Sequence, residues 1–342
     1  MYFVNVKQRE FRKPVTSTDV ARLAGVSQST VSRAFTASNK LSEATKERVF
    51  KAARELGYYP NAFARNLVSS HSNFIGIVKS TTTNPMFSEL LTLLMERIQK
   101  SEYHVIYFEV GKGETVDDIL PRILEFRVMG VILLYASLSS EITKVLRDLG
   151  IPVLQMQRYS TRAQANVVSP SNQSGAAMAV DHLWGKGYRN LAYITGEINS
   201  SSNLERQSGF LSRVTELGLI DPIVLQGDYT YESGCAAFRQ LAEQAQRPCG
   251  VVCANDMMAM GVIDTARSMG FRVPQDFGVI GFDNNFMSNW PVYQLTSLEQ
   301  PAEDLAQCGI DLLFKKIKKN DLTPESHQFD FHLVERQSTN LT

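Results

Sequence analysis

The run TDVARLAGVSQSTVSR, residues 18–33, constrains this 342-residue chain more than any other, because it reads as two short helices hinged at a glycine. Thr16 can cap the first helix, with Asp19 reaching back from the third helical position. Val20, Ala21 and Ala24 form an apolar face whose side chains are small enough to let a neighbouring helix approach closely. Gly25 permits the turn. Ser27 then caps a second helix, Gln28 to Phe35, with Val31, Ala34 and Phe35 facing inward and Gln28, Ser29, Thr30, Ser32 and Arg33 facing outward. Amide and guanidinium groups pair with purine edges and hydroxyls meet phosphates, so this outer face suits a helix that enters the DNA major groove. Taken alone, the segment also fits an ordinary helical hairpin.

The residues beyond Phe35 narrow the choice. Ser42 can cap a third helix running to Leu56, with Val49, Ala52, Ala53 and Leu56 inward and Gly57 as its stop, which completes a three-helix headpiece. After it comes YYPNAFARNL, residues 58–67. From Val15 to Leu67 the chain resembles the DNA-binding headpiece and hinge of the LacI/GalR family of bacterial transcription regulators, whose "DVA..AGVS..TVSR" and "LGY.PN..AR.L" patterns both occur in order. The resemblance implies a headpiece over 14–59 and a hinge and linker over 60–73. It makes Asn61, Arg65 and Leu67 DNA contacts beside Thr16, Ser27 and the outward residues of the second helix. Leu67 is the implied wedge in the minor groove at the centre of a pseudo-palindromic operator. Unstacking by such a wedge is offset by the contacts a bend permits, and so short a hinge helix can order only on DNA. A core leucine opening the next domain is the competing reading of Leu67.

Charge follows the same division. Residues 1–73 carry twelve Lys and Arg against five Asp and Glu, a net +7, so the chain's overall +0 leaves −7 for residues 74–342. A basic head on an acidic body is what a phosphate-binding module attached to a different kind of domain looks like. Residues 1–13 form an extension that reads as disordered, with a basic arm along the duplex or a misplaced start codon as the other readings.

The remainder is about the size of two α/β lobes. Apolar runs at 74–78, 105–108, 130–134, 152–156, 191–194, 223–225, 250–253 and 279–282 alternate with helical stretches, which predicts parallel sheets. This region resembles the family's effector-binding and dimerisation domain over 74–342, two-lobed and periplasmic-binding-protein-like, with three crossovers expected near 169, 297 and 328. Ligands sit off the carboxyl ends of parallel strands. The family patterns found there are "NP.F" at 84–87, "R..GF" at 206–210, "AND.MA.G" at 254–261 and "GFD" at 281–283. They imply effector contacts from Phe87, Arg206, Asn255 and Asp283, and the resemblance adds Tyr229, an aromatic at a position that contacts ligand in relatives, while Asp256 is expected to cap the helix starting at Met257 and Phe87 equally suits the core. Departures matter too. Gln157 and Ser171 stand where relatives often have acids, and with Arg158, Arg162 and Arg206 nearby this favours an uncharged or anionic ligand, a sugar or sugar acid.

Four irregularly spaced cysteines suggest reduced thiols, and five scattered histidines form no metal or catalytic spacing. Neither an export signal nor an 18-residue apolar window is present, so a cytoplasmic protein without membrane partners is expected. The sequence therefore predicts a homodimeric, ligand-controlled DNA-binding regulator, a repressor by family habit, with no cofactor and no enzymatic activity. The alternative is a sugar-binding or sugar-processing protein that carries a helical headpiece.

Overall fold

Each of the first three helices starts at a hydroxyl side chain that accepts a backbone N–H the helix leaves unpaired. Helix α1, Ser17–Ala24, has a reciprocal cap: Thr16 Oγ1 accepts from the Asp19 N–H at 3.4 Å while Asp19 Oδ2 accepts from the Thr16 N–H at 3.0 Å. Ser27 caps α2, Gln28–Ala34, and Ser42 caps α3, Glu43–Leu56. Gly25 and Gly57 end α1 and α3 at φ 65° and 67°, a conformation in which a Cβ would be strained. Val20, Val31 and Val49 are fully buried among five alanines, and Phe35 closes the cluster edge-on against Phe50 and Tyr58. The computed structural model describes residues 15–35, 41–59, 72–80, 84–111, 113–136, 138–160 and 162–341. Asn61, Arg65 and Leu67 lie outside the described residues, and the chain divides into two compact units, 1–72 and 73–342.

The second unit holds two six-stranded sheets. Strands β1 (Phe74–Ser80), β2 (His104–Val110), β3 (Gly130–Leu134), β4 (Val153–Met156), β5 (Asn166–Pro170) and β11 (Ser326–Phe329) form the first, in the order β11-β5-β4-β3-β1-β2 and parallel throughout. Alternation decides which face each residue joins. Phe74, Val78, Val131 and Leu133 pack with α5 (Val116–Glu125), whereas Ile75, Ile77, Ile132 and Leu134 pack with α4 (Met86–Gln99) and α11 (Ala302–Lys319). Helix α6 (Ser140–Asp148) adds Leu146 to the first of these faces.

The second sheet runs β12-β10-β9-β8-β6-β7, from β6 (Asn190–Ile194), β7 (Ile223–Leu225), β8 (Cys249–Cys253), β9 (Phe277–Asp283), β10 (Thr296–Glu299) and an antiparallel β12 (His332–Val334). Its helices pack in pairs, α7 (Asn172–Gly185) with α8 (Ser201–Glu216) and α9 (Tyr231–Gln244) with α10 (Asp256–Ser268). Glycine makes both pairs possible. A Cβ on Gly209 would lie 2.2 Å from the Gln173 carbonyl oxygen, and one on Gly234 would lie 2.2 Å from that of Met258.

The chain passes between the sheets after β5, after β10 and between β11 and β12, within a few residues of positions 169, 297 and 328. Strands β5 and β10 were not among the apolar runs because they spend polar residues on hydrogen bonds, and β11 and β12 because they are short, partly exposed strands at sheet edges. Asn166 donates to the Val153 carbonyl and accepts the Glu325 N–H, and Thr296 Oγ1 accepts the Arg336 N–H. One expectation fails outright: α10 begins at Asp256, not Met257, and its cap is Asn255, whose Oδ1 accepts the Met258 N–H at 2.9 Å.

Candidate functional site

The outer face of α2 carries Gln28, Ser29, Ser32 and Arg33 exposed, with Thr30 half-buried and the caps Thr16 and Ser27 exposed beside it. These side chains are held by short-range bonds. Arg33 folds back on its own helix, Nε donating to the Ser29 carbonyl at 3.2 Å, and Gln28 Nε2 donates to Ser17 Oγ at 3.0 Å. Both contacts are between exposed groups, so each contributes little and is easily broken.

Between the two lobes of the second unit, the strand ends frame a narrow cleft with about 50 Å³ of enclosed space, lined by Asn84, Phe87, Tyr135, Gln157, Arg158, Ser202, Arg206, Tyr229, Asn255, Asp283 and Gln300. All five expected effector residues, separated by up to 196 positions in sequence, meet there. Asp283 is buried at the end of β9, where Oδ2 accepts Asn84 Nδ2 from the first lobe at 2.7 Å and Oδ1 accepts Gln300 Nε2 at 2.8 Å. Burial raises its pKa, and the Arg206 guanidinium opposes the rise most strongly. Arg206, 4% exposed, donates Nε to Asn172 Oδ1 at 2.8 Å and Nη1 to the Ala254 carbonyl, with its guanidinium 4.2 Å over the Phe282 ring.

Phe87 lies against Tyr135, so it serves the core and the cavity wall at once. The Tyr229 ring stands directly on Gly196, where a Cβ would lie 2.0 Å from the ring, and its hydroxyl bonds Ser200 and Ser202. Asn255 is more fully committed than expected of a ligand anchor. Besides capping α10, it donates Nδ2 to the Tyr229 carbonyl at 2.9 Å. Four lining residues, Tyr135, Gln157, Tyr229 and Asp283, hold left-handed φ values of 54°, 72°, 70° and 106° without being glycine. Such conformations cost energy and gather where a side chain must be aimed against the run of its strand.

Three polar atoms of the lining are buried with no hydrogen-bond partner: Tyr135 Oη, Gln157 Nε2 and Gln300 Oε1. The expected surplus of positive charge is smaller than the sequence suggested. Arg162 is exposed and does not line the cavity, and Arg158 is paired with Glu197 at 2.6 Å. Asp256, expected as a cap, is instead wholly buried behind the cavity. It accepts Ser297 Oγ at 2.6 Å, Ser288 Oγ at 2.7 Å and the Asn285 N–H at 2.9 Å, and burial next to Asp283 pushes its pKa up to about 7.

Sequence reasoning did not select Asn84, Tyr135, Ser202 or Gln300 as ligand contacts. Asn84 sits inside the "NP.F" pattern and Tyr135 directly follows the apolar run of β3, so the strand-end rule could have found both. Gln300 follows the polar strand β10, and Ser202 sits in a plain serine run, so neither carried a signal.

Among the described residues no group of His, Cys, Asp and Glu could hold a metal ion, no helix is long and apolar enough to cross a membrane, and the four cysteines are unpaired. Residues 16–61 match the family described as bacterial regulatory proteins, lacI family, and residues 180–339 match a periplasmic binding protein-like domain. The chain is 30% identical over 329 residues to the HTH-type transcriptional repressor PurR of Vibrio atlanticus, covering 94% of this chain and 98% of that one. It is 31% identical over 329 residues to catabolite control protein A of Priestia megaterium, covering 95% and 99%. In structure it is similar to a lac repressor dimer bound to operator and the anti-inducer ONPF, with a TM-score of 0.87, 28% identity and coverage of 96% and 99%. A complex of the transcriptional regulator CelR with cellobiose matches with a TM-score of 0.72 at 27% identity, covering 95% and 99%.

Proposed function

This chain belongs to the lacI family of bacterial regulatory proteins and is a DNA-binding transcription regulator, and we propose that it is a cytoplasmic, homodimeric repressor controlled by an uncharged carbohydrate-like effector. The observation that carries the effector reading is the set of orphaned polar atoms in the cavity. Tyr135 Oη, Gln157 Nε2 and Gln300 Oε1 offer donors and an acceptor that hydroxyl groups satisfy from either side. Phe87 and Tyr135 provide ring surface for the apolar face of a sugar. A sugar acid fits less well, since Arg158 is neutralised by Glu197, two nitrogens of Arg206 are already bonded, and Asp283 repels a carboxylate. In this reading the chain turns over no substrate.

On the DNA side, Gln28, Ser29 and Arg33 read base edges while Thr16, Ser27, Thr30 and Ser32 bind phosphates, with Asn61, Arg65 and Leu67 acting in the hinge. Two-fold operator symmetry requires a dimer. The test is selection of an operator from random duplexes by the purified chain, followed by calorimetry with a panel of neutral sugars and sugar acids. A neutral sugar should bind and change operator affinity by about 5- to 150-fold, with operator changing sugar affinity by the same factor. In Asp283→Ala that response should vanish while effector-free operator affinity stays within about threefold, since α2 is untouched. Normal control in Asp283→Ala, or binding of sugar acids alone, overturns the effector assignment.

A further inference from the structure

At the rim of the cleft the first lobe grips the second through the residues that come after β4. Arg158 pairs with Glu197, the Tyr159 N–H donates to Ser201 Oγ at 3.0 Å, and the Tyr159 hydroxyl donates to Glu205 Oε1. Glu205 Oε2 accepts Asn172 Nδ2 at 2.9 Å, and Asn172 Oδ1 accepts Arg206 Nε at 2.8 Å. An unbroken chain of hydrogen bonds thus runs from a first-lobe side chain to the guanidinium in the cavity wall. Gln157 and Ser171 carry no charge, so Glu205 supplies the carboxylate of this chain from α8.

We propose that Glu205 is a positioning residue that joins closure of the lobes to the orientation of Arg206, with Tyr159 as the latch it holds. Both oxygens of Glu205 are engaged, one across the lobe boundary and one within the second lobe, so it is the point where the two motions meet. Hydrogen bonds to a carboxylate are about twice as strong as neutral ones, and the half-buried site keeps water from competing fully. Parting of the lobes withdraws the Tyr159 hydroxyl and leaves Asn172 to hold Arg206 against a carboxylate that has turned to solvent. Closure restores the geometry. The cleft is therefore latched before any effector arrives, and an effector acts by strengthening or defeating a contact already made.

Hydrogen exchange on the full chain, with neither operator nor effector present, tests this independently of the carbohydrate reading. Tyr159→Phe keeps the ring and Glu205→Ala removes the acceptor. Each should speed backbone exchange over 157–160 about tenfold, and the double variant should do no more than either single one. Glu205→Gln, which can still accept from Asn172 and donate to Tyr159 but only through weaker neutral bonds, should fall between the parent and Glu205→Ala. The Arg206 Nε proton, followed by NMR, should exchange faster in Glu205→Ala than in Glu205→Gln. Acceleration confined to 201–216, additive effects in the double variant, or an unaffected Arg206 proton would each show that Glu205 serves only its own helix.

Discussion

The headpiece and the cleft solve opposite problems with the same kinds of side chain. On α2 the polar groups stand in solvent and bond to residues of the same or the adjoining helix, as Arg33 does to Ser29 and Gln28 to Ser17. In the cleft they are buried and bond across long sequence intervals, as Asn84 does to Asp283 and Arg206 to Ala254. An exposed group is free to be exchanged for a ligand and contributes little to folding. A buried group is part of the fold whether or not a ligand is there, so its loss costs stability before it costs binding.

The sharpest test of that contrast is Arg206→Ala. It removes a buried cation bonded to Asn172 and Ala254, and should destabilise the chain by about 3–5 kcal/mol in urea unfolding. A cost comparable to that of an exposed residue would dissolve the distinction. Gln28→Ala should do the reverse. Operator affinity should fall by about 1–3 kcal/mol at particular base positions while stability moves by no more than about 0.5 kcal/mol, read by binding to single-base operator variants and by thermal melting.

The same difference explains how much of each region was legible in the sequence. The caps Thr16, Ser27 and Ser42 act within three residues of themselves, so their spacing alone discloses three helices and the face each presents. Strands β1, β3, β8 and β9 are buried on both sides and show as apolar runs. Strand β10 does not, because Ser297 and Thr296 are there to bond Asp256 and Arg336. In the cleft, patterns known from relatives pointed to Arg206 and Asp283. No local pattern could say that Gln300, 17 positions from Asp283, would share its carboxylate, whereas the cap formed by Asn255 acts within three residues and was within reach of the same capping rule.

Two smaller effects sharpen the contrast. Ser27→Ala should cost about 1 kcal/mol of headpiece stability through the lost cap, visible as earlier melting of that unit in residue-resolved exchange. In the second unit the buried Asp256 makes stability depend on pH. Its pKa is raised from about 3.8 to about 7, so the folded state binds a proton that the unfolded state has released. The stabilisation from that proton is complete below about pH 4 and is lost as pH rises through about 7. Urea midpoints taken at pH 5 and pH 8 should therefore fall in the parent chain and fall less in Asp256→Asn, with Asp283 and Arg336 as the nearby charges common to both.

The three passages between the sheets also govern the order in which the molecule can assemble. Strand β5 cannot acquire its outer neighbour until residues 326–329 have been made, and β10 waits for 332–334. Pairings across such intervals are slow, and exposed strand edges invite association in the meantime. The headpiece, by contrast, contains everything its core requires within 15–59 and can fold as soon as it leaves the ribosome. A chain interrupted late in synthesis would thus carry a finished headpiece on a body whose sheets still lack their edges.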